Sequence, residues 1–152
     1  MLGILKEKGK TLSTAESCTG GMIGAAVTAI PGSSESYMGG AVSYSNDVKE
    51  RLLGVGRGTL MEHGAVSEET AREMAAGARD FFRTDTAIAV TGIAGPGGAT
   101  PTKPVGLVYI AVADGPRIVV SRNVFEGGRE SVREQAVATA LDLMRELLEG
   151  KL

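Results

Sequence analysis

The sequence predicts an α/β fold, a three-layer α/β/α sandwich built on a mixed sheet of about five strands. Three observations carry that expectation. Thr86-Ala87-Ile88-Ala89-Val90-Thr91 is a near-continuous apolar run between polar neighbours, the pattern of a strand buried on both faces. Residues 11–15, the pair Gly20-Gly21 and the helical spacing of Met22, Ile23, Ala25, Ala26, Val27 and Ile30 read as strand, tight turn and helix. Two later apolar runs meet at Asp114-Gly115-Pro116, a hairpin turn that makes part of the sheet antiparallel.

The elements follow in order. Residues 1–9 read as the end of a short helix, with Leu2, Ile4 and Leu5 apolar and Gly9 as terminator. Pro31-Gly32 stops the helix after the first strand, and residues 37–45 form a second strand. Asn46 or Asp47 caps the helix over residues 48–53, which Gly54 ends. Residues 59–66 give a brief helix and a turn. Ser67 caps a longer helix, with Glu68 and Glu69 complementing its dipole and Met74, Ala75, Ala78, Phe81 and Phe82 on its buried face. The buried strand 86–91 then runs into residues 92–104, too rich in Gly and Pro for regular structure. Strands 105–113 and 117–125 make the hairpin. A final helix from Arg129 to about Glu149 carries a core stripe of Val132, Ala136, Val137, Ala140, Leu141, Met144, Leu147 and Leu148.

At 152 residues, 43% of them hydrophobic, the chain reads as one domain over 1–152 with a full core. Sixteen basic against eighteen acidic residues, and few aromatics, argue against a nucleic-acid partner. One Cys and one His allow neither an internal disulfide nor the usual zinc site, so a cytoplasmic setting is expected. No apolar stretch approaches the ~18 residues that span a bilayer. A homo-oligomer is the default expectation for a small enzyme.

The chemistry concentrates in Thr14-Ala15-Glu16-Ser17-Cys18-Thr19-Gly20-Gly21. A strand, a glycine turn and a helix start converge backbone N–H groups on one spot, a natural cradle for an oxyanion or phosphate. Ser17 stands at its rim as a nucleophile, although Ser17 or Thr19 can equally serve as an N-cap. Lys49, with its pKa lowered by burial and Tyr44 relaying a proton, is the better base. His63, in a turn sequence, reads as a capping or packing residue. Cys18 is a competing nucleophile whose side chain should point away from Ser17, which suits a small core residue. Arg129 and Arg133, one turn apart at the start of the last helix, can face a cleft or solvent. The Gly/Pro loop follows a buried strand, where ligands bind in open α/β sheets.

The motif around Ser17, with Tyr44-Ser45-Asn46, His63-Gly64-Ala65-Val66-Ser67, Gly92-Ile93-Ala94-Gly95-Pro96-Gly97-Gly98 and Lys103-Pro104-Val105-Gly106, resembles the C-terminal domain family of the competence/damage-inducible protein CinA. That family includes nicotinamide mononucleotide deamidases. The resemblance implies hydrolysis of the carboxamide of nicotinamide mononucleotide to nicotinic acid mononucleotide and ammonia, with no metal or cofactor. It assigns Ser17 as nucleophile, Tyr44 and Lys49 to proton handling and Arg129 to steadying negative charge. Thr19, Gly20, Gly21, Asn46, Gly92, Gly95, Gly97 and Arg133 are the expected substrate contacts. Ala99-Thr100-Pro101-Thr102 and Gly128 depart from the family pattern, which often has acidic residues there. A non-catalytic nucleotide-binding or regulatory module is the alternative function.

Overall fold

The computed structural model describes residues 1–152. Five strands form one sheet in the order β2-β1-β3-β4-β5: β1 Leu12–Glu16, β2 Tyr37–Val42, β3 Thr86–Gly92, β4 Leu107–Asp114 and β5 Arg117–Val124. β1 pairs in parallel with β2 and β3, whereas β3–β4 and β4–β5 are antiparallel. The mixed three-layer sandwich expected from the sequence is the observed fold.

Side-chain size, not polarity, distinguishes the two faces of the central strands. On β3 and β4, Ile88, Val90, Val108, Ile110 and Val112 point into one core with α1 (Leu2–Glu7), α2 (Met22–Thr28) and α6 (Arg129–Leu148). Ala87, Ala89, Ala111 and Ala113 point into the other, against α3 (Asn46–Leu53), α4 (Arg57–His63) and α5 (Glu68–Phe82). The period-2 alternation of a strand is therefore written as large against small. The alanine face leaves room for α5 to lie close, and Gly77 lets α5 meet α3: a Cβ there would lie 1.8 Å from the Leu53 carbonyl oxygen.

Several local expectations are corrected. Ser45, not Asn46 or Asp47, caps α3, its Oγ accepting from the Val48 N–H at 3.2 Å. That cap requires extended backbone, so β2 ends at Val42 and does not reach residue 45. Phe81 is exposed at the end of α5, because Phe82 takes the inward position against Gly39. β1 is buried along its whole length, so its hydroxyls find partners: Ser13 Oγ with Thr84 Oγ1 and Thr14 Oγ1 with the Tyr37 hydroxyl, each at 2.8 Å. Ser67 caps α5 as expected, accepting from the Thr70 N–H.

The topology positions the site. β2, β1 and β3 are parallel neighbours, so their carboxyl ends, at Val42, Glu16 and Gly92, open on one edge of the sheet. The antiparallel β4 begins and β5 ends at that same edge, which delivers the start of α6 there too. No helix is long and apolar enough to cross a membrane.

Candidate active site

At the carboxyl end of β1 the alternation of strand residues continues for three positions and sends each side chain to a different task. Glu16 turns toward α2, where its carboxylate accepts from the N–H groups of Gly21 and Ile23 at 3.0 Å and Gly24 at 2.8 Å. Ser17 turns the opposite way, toward α3. Cys18 returns to the aliphatic core. Burial pushes its thiol up to about 11, so it is neither ionised nor available as the nucleophile weighed above.

Glu16 changes the meaning of the glycine turn. The chain's own carboxylate already occupies the positive end of α2. Gly20 donates to the Ser17 carbonyl, and Thr19 is wholly buried. Thr19, Gly20 and Gly21 therefore lie outside the cleft, with both glycine amides engaged, and the expected phosphate cradle is filled from within. Arg133 also stays out of the cleft, its Nε donating to the Cys18 carbonyl and one terminal nitrogen to the Thr19 carbonyl.

A cleft of about 270 Å³ opens over Ser17. Of the expected residues, Ser17, Tyr44, Lys49, Arg129, Asn46, Gly92, Gly95 and Gly97 all line it. Lys49 is 1% exposed; its Nζ donates to Ser17 Oγ at 3.2 Å and to the Ser43 carbonyl at 2.8 Å. Loss of hydration lowers its pKa below the ordinary lysine range. Arg129 reaches across the mouth, donating to the Gly95 carbonyl at 2.8 Å and to the Tyr44 hydroxyl at 3.2 Å. Neither Lys49 nor Arg129 pairs with a carboxylate, so the Arg129 charge at the mouth has no internal counter-ion.

The rest of the lining is Cys18, the Gly/Pro-loop residues Ile93, Ala94 and Gly98, and Ala65, Val66 and Thr91, of which the last three were not assigned from sequence. The 63–67 stretch was visible only as part of a motif. It forms a wall because Thr91 Oγ1 donates to the Ala65 carbonyl at 2.7 Å, tying the turn before α5 to the end of β3. His63 lies outside the cleft between Glu62 and Glu69. Lys103 anchors the Gly/Pro loop by donating to the His63 carbonyl.

The family model for the CinA C-terminal domain matches residues 1–148. The chain belongs to this family. A CinA-like protein from Citrifermentans bemidjiense is 52% identical over 145 residues, covering 95% of this chain and 35% of that protein. A CinA-like protein from Thermotoga maritima is 45% identical over 148 residues, covering 97% of this chain and 36% of its own. The chain thus spans about a third of the length of the curated relatives it matches. Among solved structures, a competence/damage-inducible protein from Agrobacterium tumefaciens superposes with a TM-score of 0.93 at 45% identity, covering 96% of this chain and 90% of that one. A CinA superfamily protein from Klebsiella pneumoniae gives a TM-score of 0.94 at 38% identity, covering 97% and 92%. As a CinA C-terminal domain the chain shares its three-layer fold with these structures.

Proposed function

We propose that this CinA-family domain is a serine amidohydrolase that converts nicotinamide mononucleotide to nicotinic acid mononucleotide and ammonia. The observation that carries the reading is the buried amine of Lys49 in hydrogen-bond reach of Ser17 Oγ, with no carboxylate holding it charged. A desolvated lysine whose pKa is held below the ordinary lysine range is a base suited to a serine nucleophile.

In this reading Ser17 Oγ bonds to the carboxamide carbon as its proton passes to Lys49 Nζ. The tetrahedral intermediate collapses by breaking the C–N bond, and the Lys49 ammonium returns the proton to the departing nitrogen, releasing ammonia. Water then attacks the Ser17 ester with Lys49 again taking the proton. Collapse frees the carboxylate product and restores the hydroxyl. The Ser43 carbonyl holds the amine from the other side, so that it stays directed at Ser17. The unpaired charge of Arg129 at the mouth favours an anionic substrate, which a nucleotide monophosphate is.

Ammonia release from nicotinamide mononucleotide, measured for the wild type, Ser17→Ala and Lys49→Met, tests this. Turnover lost in both variants with nucleotide binding retained supports it. A folded wild type that binds the nucleotide without releasing ammonia would leave the binding-module alternative.

A further inference from the structure

Two arginines one helical turn apart at the start of α6 do different things. Arg129 faces the cleft. Arg133 faces the backbone of the nucleophile turn, with Nε 3.0 Å from the Cys18 carbonyl oxygen and a terminal nitrogen 3.2 Å from that of Thr19. It is the only side chain that donates to a carbonyl between residues 17 and 20, and it pairs with no carboxylate.

The rest of the turn is fixed by complementary means. The Ser17 N–H is held by the Val90 carbonyl at 2.9 Å, and the Ser17 carbonyl accepts from Gly20 at 3.1 Å. Glu16 gathers the N–H groups of Gly21, Ile23 and Gly24. The Thr19 carbonyl already accepts from the Met22 N–H at 3.1 Å, so of the two peptide units after Ser17 only that of the Cys18 carbonyl depends on Arg133 alone. The Cys18–Thr19 and Thr19–Gly20 peptides are trans, so fixing each C=O also fixes the N–H opposite it. Two bonds from one planar guanidinium set the first plane and brace the second, which a single-point cation cannot do.

Building on the Ser17–Lys49 reading, we infer that Arg133 is a positioning residue: it holds the backbone after Ser17 so that the hydroxyl stays within reach of Lys49, and it does not bind substrate. Because it acts through Ser17, its loss lowers turnover and not substrate affinity. Misplacing a reacting group by about 1 Å costs on the order of 10²-fold.

The test compares wild type, Arg133→Ala and Arg133→Lys in ammonia release from nicotinamide mononucleotide, with and without guanidinium ion below denaturing concentration. Backbone hydrogen exchange at Thr19, whose N–H shares a peptide plane with the Cys18 carbonyl, is followed in parallel. Expected are a fall in kcat of about 10²-fold at nearly constant KM for Arg133→Ala, partial activity in Arg133→Lys, recovery with guanidinium, and faster exchange at Thr19. A raised KM with kcat preserved would make Arg133 a substrate ligand and overturn the inference, as would unchanged exchange. A wild type without ammonia release sinks the amidohydrolase reading alone. Exchange then decides the inference, faster in the variants for it and unchanged against it. If Arg133→Ala does not fold, Arg133→Lys supplies both readouts.

Discussion

Lys49 Nζ sits 3.2 Å from Ser17 Oγ, although the two residues come from different elements on opposite sides of β2 in the chain. Only 1% of Lys49 is exposed, and its other bond goes to the neutral Ser43 carbonyl. In the proposed reaction this hydroxyl is the nucleophile and the desolvated amine its base. Ser17→Ala is expected to lower ammonia release by about 10³-fold or more while leaving the melting temperature near that of the wild type. Steady-state kinetics beside circular dichroism checks both halves.

The lowered pKa of Lys49 has a definite sign in both activity and stability. The proposed reaction requires the neutral amine, so kcat/KM should rise with pH and level off below the ordinary lysine value of about 10.4. Between the lowered folded pKa and about 10.4, the unfolded chain holds a proton that the folded one lacks. Stability from this group therefore increases with pH across that window, and the cost of a buried ammonium is full below it. Lys49→Met should be more stable than wild type at neutral pH, with the gap closing on the alkaline side. Urea titrations at stepped pH read this directly, and a gap that widens with pH contradicts it.

Arg129 spans from the Gly95 carbonyl to the Tyr44 hydroxyl at the mouth of the cleft. If it steadies the negative charge of the substrate, Arg129→Ala should lower the preference for the nucleotide over its dephosphorylated nucleoside by roughly tenfold or more, the contribution of a charge-assisted hydrogen bond. The measurement is the ratio of kcat/KM for the two amides. An unchanged ratio would assign the phosphate to another group.

Cys18 lies next to Ser17, the proposed nucleophile, with its thiol pushed up to about 11 by burial. It should resist iodoacetamide in the folded protein at neutral pH and react only on unfolding. Cys18→Ala should retain most of the ammonia release. Rapid labelling of the native chain coupled to inactivation would reverse the assignment of nucleophile.

Gly77 inverts the usual helix rule. Alanine normally exceeds glycine in a helix by about 1 kcal/mol. Here the added Cβ would meet the Leu53 carbonyl at 1.8 Å, which forces α5 away from the helix that carries Lys49. Gly77→Ala is expected to destabilise by about 1–3 kcal/mol in denaturant unfolding. Gly97→Ala, with open space around it and no left-handed backbone, should leave stability unchanged.

Much of this molecule is local in origin, and the sequence determined that part. The apolar run of β3, the hairpin at Asp114-Gly115-Pro116 and the Ser67 cap depend on neighbours within a few residues, so composition and spacing suffice to read them. Ser17, Tyr44 and Lys49 were legible as candidates from their places beside turns and helix starts, whereas the choice of Arg129 over Arg133 came from the resemblance to the CinA C-terminal domain family. Only the tertiary structure decided what those residues touch. The parallel pairing of β1 with β2 and β3 brings three carboxyl ends together, and no local signal encodes that pairing. Glu16, Thr19, Gly20, Gly21 and Arg133 show the limit most clearly. The glycine turn carries the pattern of an anion cradle, but whether its N–H groups serve a ligand depends on where the side chain of Glu16 lies. That carboxylate reaches them first, and Arg133 arrives from a helix more than a hundred residues later to hold the carbonyls. Hydrogen bonds are short-ranged and directional, so which donors remain free is settled only when the distant partners have been folded into place.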